Sequence, residues 1–551
     1  MTHAHRSCFP KAAFASCPRL SIVLSCMFLL VMGMAPELLH SQTYTDLHDF
    51  NCATDGCQPS FPAILAQGRD GNLYGTMNQT GARNFGTVFK ITPAGAITTL
   101  YNFAGTDGSG PASGLTLGTD GNFYGTTSGG GANSAGTVFK ITPAGVLTTL
   151  HSFTNTDGFP HAPPVLGANG NYYGVTTGNT LTGTAYSISS SGTYKLLPTP
   201  LPSASVAPLI LASDGNFYGT TPFGGLFNAG TVFRMSAAGA VKIVYSFDGH
   251  ANGGFPEGPV VQGSDGFLYG TTIGGGLVSN PVGVVFKLST GGAITVLHSF
   301  DAANPTDGYL PYAGLVAATD GNFYGATSAS SGGQGTLFKI TKTGTYSFLY
   351  AFDQTHGKFQ QATSMQHTSG VLYGLPDAGG VSNGGVFYSL AMGIPPYISL
   401  MPTSGTAGQA IGILGTGLTG TTSVLFGSGS ASFTVVTDTY ITAVVPAAGK
   451  TGTVTVATPS GALKSKQIFK VIPVISSFTP ASGPVGAQVT ITGTGLTGAS
   501  KVTFGGVKAT VFTVNSGTQV TATVPTGAVT GKIKITTAGG IATAPGTFTV
   551  I

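Results

Sequence analysis

A hexapeptide signal returns seven times at a nearly constant interval. It reads DGNLYG from Asp70, DGNFYG from Asp120, Asp214 and Asp320, and DGFLYG from Asp265, with worn copies NGNYYG from Asn169 and SGVLYG from Ser369. The shared glycines, Gly71, Gly121, Gly170, Gly215, Gly266, Gly321 and Gly370, are separated by 50, 49, 45, 51, 55 and 49 residues. A period near 50 residues means that one supersecondary unit is repeated, and that each unit buries its apolar faces only against its neighbours.

Each unit reads as four short strands. In the second, residues 114–119 lead to Asp120-Gly121, then 123–127, a Gly-rich loop, 137–142, a Pro143-Ala144-Gly145 turn and 146–153. Asp-Gly between β-prone runs predicts a tight type I′ hairpin, in which both central residues have positive φ. Phe123 beside Tyr124 and Val138 beside Phe139 put bulk on both sheet faces, so each sheet must be covered twice. Four-stranded sheets stacked around an axis meet that demand, and seven units predict a seven-bladed β-propeller over residues 43–393. An open β-solenoid is the competing arrangement. Residues 43–50, TYTDLHDF, carry the fourth-strand pattern (compare VLTTLHSF from Val146), whereas the seventh unit lacks a fourth strand of its own after GGVFYSL. The N-terminal segment is therefore expected to complete the last blade.

The DGN-[LF]-YG-T-T, G-T-V-F-K-I-T-P-x-G and L-x-x-F series resembles the GloVer-type tandem repeat of exported bacterial proteins, a family that implies no particular molecular role. After Ile394-Pro395-Pro396 a second repeat begins: PYISLMPTSGTAGQAIGILGTGLTG from Pro396 matches PVISSFTPASGPVGAQVTITGTGLTG from Pro473. Alternation in Val489-Ile491, Val502-Phe504 and Ile533-Ile535 predicts half-buried antiparallel strands. The P-x-x-G-x-x-G-x-x-V-T-I-x-G-x-G-L-x-G run and Phe504-Gly505-Gly506 resemble the IPT/TIG immunoglobulin-like domain, with departures in the first copy at Gly412 and Ser428. The fold class is thus all-β, a propeller followed by two Ig-like sandwiches at 395–471 and 472–551. The resemblance implies spacer or interaction modules without chemistry of their own.

Arg6, Lys11 and Arg19 precede the uncharged run Leu20–Ala35, a secretory signal pattern that assigns 1–41 to a leader. The run has 16 residues, short of the ~20 of a spanning helix, so a retained anchor is the alternative, and a lipoprotein leader through Cys26 is another. The expected location is extracellular or in the cell envelope, with no membrane span in the mature chain. The mature chain then holds Cys52 and Cys57, and in an exported protein such a pair favours a disulfide over a metal site. With 19 basic and 17 acidic residues left, scattered along the chain, no nucleic-acid footprint exists.

A catalytic carboxylate should be singular, because a site is built once, whereas structural acids recur with the repeat. Asp70, Asp120, Asp214, Asp265 and Asp320 recur in the hairpin turn, and Asp55, Asp107, Asp157 and Asp307 recur before Gly in the loop between units. His48, His151 and His298 hold the position of Tyr101, Tyr245 and Tyr350 and read as blade residues. Glu257, the one glutamate of the mature chain, has no repeat equivalent. No HExxH, GxSxG, P-loop or calcium-loop pattern occurs, so no cofactor or metal is implied. The repeat also resembles the propeller lyases that inactivate cyclic peptide antibiotics, but those use clustered His and Glu residues, and no such cluster is visible. The expected function is a non-enzymatic binding, adhesion or envelope-associated protein that takes a glycan or protein ligand. Alternatives are an extracellular propeller lyase or hydrolase acting on a polymer, and a purely structural envelope component. Recognition needs non-equivalent groups on a rigid frame. The loops after the second and fourth strands supply them on one face: Phe85, Phe223, Phe227, Phe255, Glu257 and Tyr309.

Overall fold

The computed structural model describes residues 42–551, apart from 57–58, 60–64, 79–83, 112–113, 179–181, 305 and 331–332. The proposed leader and Cys57 lie outside the described residues. The described chain is all-β, and residues 42–393 form seven four-stranded antiparallel sheets. In the second unit the order is Thr116–Leu117, Phe123–Thr127, Thr137–Ile141 and Leu147–Ser152. The second strand is buried along its whole length in all seven units, including Phe123–Thr127 and Phe217–Thr221, so both faces are covered as the sequence demands. First strands of neighbouring units touch one another, which places them innermost.

The DGNxYG motif has a direct physical cause. Oδ1 of Asp120 accepts the backbone N–H of Asn122 at 3.1 Å, while Oδ2 accepts the Asn122 amide at 2.6 Å and the Tyr124 hydroxyl at 2.9 Å. Asp70, Asp214 and Asp320 repeat all three bonds. The turn is not type I′. Gly121 has φ of 84° but Asp120 keeps negative φ, and Gly121 N–H closes on Gly118 O while Gly118 N–H bonds Asn122 O. That is a longer turn ending in a left-handed glycine, and it wins because it turns the carboxylate back onto three donors. In the third unit Asn169 donates its amide to Tyr173 at 2.8 Å instead.

The same tyrosine carries the sheet-to-sheet contact. Tyr74 stacks on Phe123 at 4.0 Å, Tyr124 on Tyr172 at 3.9 Å and Tyr269 on Phe323 at 4.0 Å, and Tyr173 packs on Phe217 at 4.3 Å. Tyr218 shares a cluster with Leu268, Tyr324 with Leu372, and Tyr373 with Leu73. The last of these joins the seventh unit to the first. Gln67 and Thr368 exchange two hydrogen bonds, of 2.8 and 3.0 Å, across the same joint. Thr43–Asp49 pairs antiparallel with Val386–Ala391 as the outer strand of the seventh sheet.

Burial alone would raise the carboxyls of Asp120, Asp214 and Asp265, but their hydrogen bonds outweigh it and hold all three below the usual carboxylate range. Groups depressed in this way stabilise the fold above their unfolded value of ~3.9, and that stabilisation disappears as pH falls through the folded values. Urea unfolding should give constant stability from about pH 7 to 5 and a steep loss below about 4. Asp120→Asn, the arrangement already present at Asn169, should keep the fold and flatten part of that acid limb. A stability profile that is level down to pH 2 would contradict this account.

Beyond Ile394 come two sandwiches. In the first, the sheet built on Ala410–Leu414 and Tyr440–Val444 faces the one built on Gly452–Thr458 and Gly461–Val471, around Ile413, Val424, Phe426, Ile441, Val454 and Phe469. The second repeats the plan around Ile491, Val502, Phe504, Val520, Ile535 and Phe548. The first sandwich is seated on the propeller. Thr439 donates to Arg69 O at 2.7 Å, Arg69 lies 4.6 Å over the Tyr440 ring, Tyr397 donates to Gln366 O at 2.7 Å, and the Lys470 ammonium reaches Ser213 O. It therefore covers part of the Asp-Gly turn face and is more than a spacer.

Candidate functional site

The opposite face carries the irregular groups. A conserved mechanical plan positions them: Thr126, Thr220 and Thr271, on second strands, donate to Ala162 O, Gly258 O and Ala313 O at the start of the next unit, at 3.1, 3.0 and 3.0 Å. The residue just before each of those carbonyls is consequently held at an equivalent place beside the innermost strands. His161, Glu257 and Tyr312 occupy it, with Gln361 in the seventh unit. Burial raises the Glu257 carboxyl and lowers the His161 imidazole, and neither has a hydrogen-bond partner among the described residues. The four side chains share a position but not a chemistry, which is what a repeat looks like where it has stopped being structural.

The loops between second and third strands form the outer part of this face. Phe223 is 51% exposed and meets Phe255 edge-on at 5.8 Å, and Phe227 is 62% exposed. Phe255 is half-buried and holds φ of 59°. Phe85 is half-buried against Gly105, and Tyr309 is half-buried with its N–H on Ala329 O. The structure thus brings Phe223 and Phe255 into contact between the fourth and fifth units, with Phe227 in the same loop as Phe223 and Glu257 two residues after Phe255, and leaves Phe85 and Tyr309 in other loops. Sequence reading missed the exposed Leu226, Leu277 and Val381, which take one equivalent tip position in three units; an aligned repeat would have revealed them.

It also missed Asp377. Sister units place a hydroxyl there: Ser128, Thr177 and Ser328 donate to the carbonyls of Gly110, Phe159 and Leu310. At Asp377 it is the backbone N–H that lies 3.4 Å from Phe359 O; burial pushes the carboxyl pKa well up against a hydrogen bond from the Gln361 N–H, and its Oδ1 has no partner. Asp377 lines a cavity of about 430 Å³ with Asn78, Lys358, Phe359, Gln361 and Asn383. Phe359 is 39% exposed at φ 57°, and the Lys358 ammonium lies 5.5 Å from its ring. Amides, a carboxyl, an ammonium and one aromatic face converge there.

The recurrent acids and histidines do other work. His48, His151 and His298 face Asp55, Asp157 and Asp307 at 3.1, 3.7 and 2.7 Å, and His151 and His298 stack on Tyr194 and Tyr346 of the next unit. No group of three or more His, Cys, Asp or Glu suited to a metal occurs among the described residues.

Residues 37–200 and 177–388 match the Gloeobacter/Verrucomicrobia repeat, together more than half of the chain. The chain belongs to the Gloeobacter/Verrucomicrobia repeat family. Residues 396–469 and 473–550 match the IPT/TIG domain, and the combination is that of an extracellular or surface protein. No curated protein matches the chain. Among solved structures, virginiamycin B lyase from Staphylococcus aureus is 16% identical over 64% of this chain and 100% of its own, with a TM-score of 0.45. A fungal alcohol oxidase gives 15%, 76%, 100% and 0.42, and a surface glycan-binding protein from Prevotella bryantii 22%, 27%, 38% and 0.21. Similarity at that level carries no statement about the ligand or reaction of this Gloeobacter/Verrucomicrobia repeat protein.

Proposed function

We propose that this is an exported, non-enzymatic binding protein of the cell surface, whose irregular propeller face recognises a glycan while the first IPT/TIG domain holds the other face. The observation that supports it most is the confinement of non-repeating polar and aromatic groups to one face, around the Asp377 cavity and the Phe223–Phe255 pair. Sugar recognition uses hydroxyl-directed amides and carboxyls with an aromatic platform, and the cavity offers each. A protein ligand is the other outcome of the same test.

The test is glycan-array and envelope binding with residues 42–551. Replacing Phe223, Phe227 and Tyr309 together by Ala should weaken binding at least tenfold, about 1.4 kcal/mol, with the melting temperature kept. The control changes Asn122 and Asn216 to Ala on the opposite face and should bind normally. Loss in the control alone would place recognition on the wrong side. A lyase or hydrolase reading draws on Glu257, whose raised carboxyl suits a general acid. Cleavage of an extracellular polymer that disappears in Glu257→Gln would replace the binding reading.

A further inference from the structure

The near balance of charge over the chain conceals a division. Residues 42–395 hold 11 Lys and Arg against 16 Asp and Glu, whereas 396–551 hold eight lysines and one acid, Asp438. The second IPT/TIG domain has four of those lysines and no acid at all. In the first domain, Lys466 and Lys470 reach Gln366 Oε1 and Ser213 O of the acidic propeller. In the second, Lys501, Lys508, Lys532 and Lys534 are all exposed.

Strand register gathers these four on one face. Lys508 of Val507–Lys508 and Lys534 of Ile533–Thr537 both pair with Thr503 of Lys501–Phe504, from opposite sides. Directly paired residues share a face of a sheet, as do residues two apart along a strand, which brings in Lys501 and Lys532. The alternate residues Val502, Phe504, Ile533 and Ile535 fill the core, so the lysine face is the outer one. Thr503, flanked by two lysine stems, is only 7% exposed. From strand spacing and rise, the four backbone positions span a patch of roughly 10 by 14 Å.

The same fold does without these charges. In the first IPT/TIG domain the matching register sets Leu425 against Ser430 and Thr455. Ser423, Ser430, Thr453 and Thr455 therefore stand where the second domain has Lys501, Lys508, Lys532 and Lys534. Like charges crowded on one face repel, and a surface of opposite charge relieves that repulsion.

We propose that this sheet face docks the second IPT/TIG domain on the anionic headgroups of a phospholipid surface. The lysines stand on an open sheet, and the one aromatic of its strands, Phe504, is turned into the core, so these strands offer no stacking platform for a nucleic acid or a sugar chain. Ile541 pairs with Thr536 on the same face and is 65% exposed. Exposed hydrocarbon among lysines suits a lipid–water interface. The surface is remote from the loop face in sequence and chemistry and does not rest on the glycan reading.

The experiment is co-sedimentation of residues 42–551 with vesicles of phosphatidylglycerol and phosphatidylcholine in equal parts, and of phosphatidylcholine alone, at about 0.1 M and about 1 M salt. The protein should bind the anionic vesicles at the lower salt, leave them at the higher, and ignore phosphatidylcholine. Each lysine near an anionic leaflet strengthens attachment about fivefold. Lys501→Ser, Lys508→Ser, Lys532→Thr and Lys534→Thr together, which copy the first domain, should weaken it by about a hundredfold or more, with the melting midpoint kept or raised. Changing all four to Arg should retain it. If the fourfold variant fails to fold, Lys508→Ser with Lys534→Thr should weaken attachment about tenfold or more. The Phe223/Phe227/Tyr309 triple variant should bind vesicles normally, so failure here and failure of the loop-face reading are distinguishable. Equal binding to both vesicle types, no binding to the anionic ones at the lower salt, or attachment unchanged in the folded lysine variant overturns the assignment. So does polygalacturonate or duplex DNA bound more tightly than the vesicles, which would make the face a site for a soluble polyanion.

Discussion

Removal of residues 42–50 should lower the melting midpoint by at least ~10 °C and cause aggregation on concentration. Phe50 is fully buried, and losing a buried Phe alone costs about 3–5 kcal/mol. Tyr44 is stacked between Tyr350 at 3.9 Å and Tyr388 at 5.0 Å and donates to His356 O at 2.6 Å, and all of that goes with it. Midpoints of domains of 150–250 residues move roughly 2–4 °C per kcal/mol. The deletion also bares the Val386–Ala391 strand, whose free N–H and C=O groups then template pairing with other chains. Differential scanning calorimetry and light scattering check this. An unchanged midpoint with a monomeric product would mean that the N-terminal strand does not close the ring.

Tyr124→Ala should be the most damaging single substitution within a sheet. The ring is fully buried, stacks on Tyr172 in the next unit and ties down Asp120. Its loss combines a cavity, worth about 3–5 kcal/mol, with a carboxylate that loses one of its three donors. Tyr124→Phe keeps the stack and drops only the hydroxyl, so it should cost roughly 1 kcal/mol. Denaturant unfolding of the two variants separates the contributions. Equal destabilisation by Phe and Ala would show that the hydrogen bond, and not the ring, holds neighbouring units together.

The repeat was readable because periodic structure leaves periodic sequence. Seven DGN-type copies carry the hairpin, the glycine and the interface tyrosine within six residues, so a one-dimensional search finds what holds each unit. TYTDLHDF carries a fourth-strand pattern ahead of the first unit, and it is paired with the seventh. Even here one detail escaped. The Asp-Gly pair suggests a type I′ turn, but the Asp120 carboxylate gains three donors only in the longer turn, a preference that appears once Tyr124 is placed four residues on.

The candidate sites were legible only in part. Glu257 stands out as a lone glutamate, and the exposed Phe223 and Phe227 stand out in a long loop. Asp377 gave no signal in the sequence: it stands where other units have Ser128 and Ser328, and the packing around it takes water from its carboxyl. By itself the sequence determined the units, their strands and the family, since those depend on contacts within one period. Only the tertiary structure decided which acids and bases lose their water, because burial is set by distant chain packed against them.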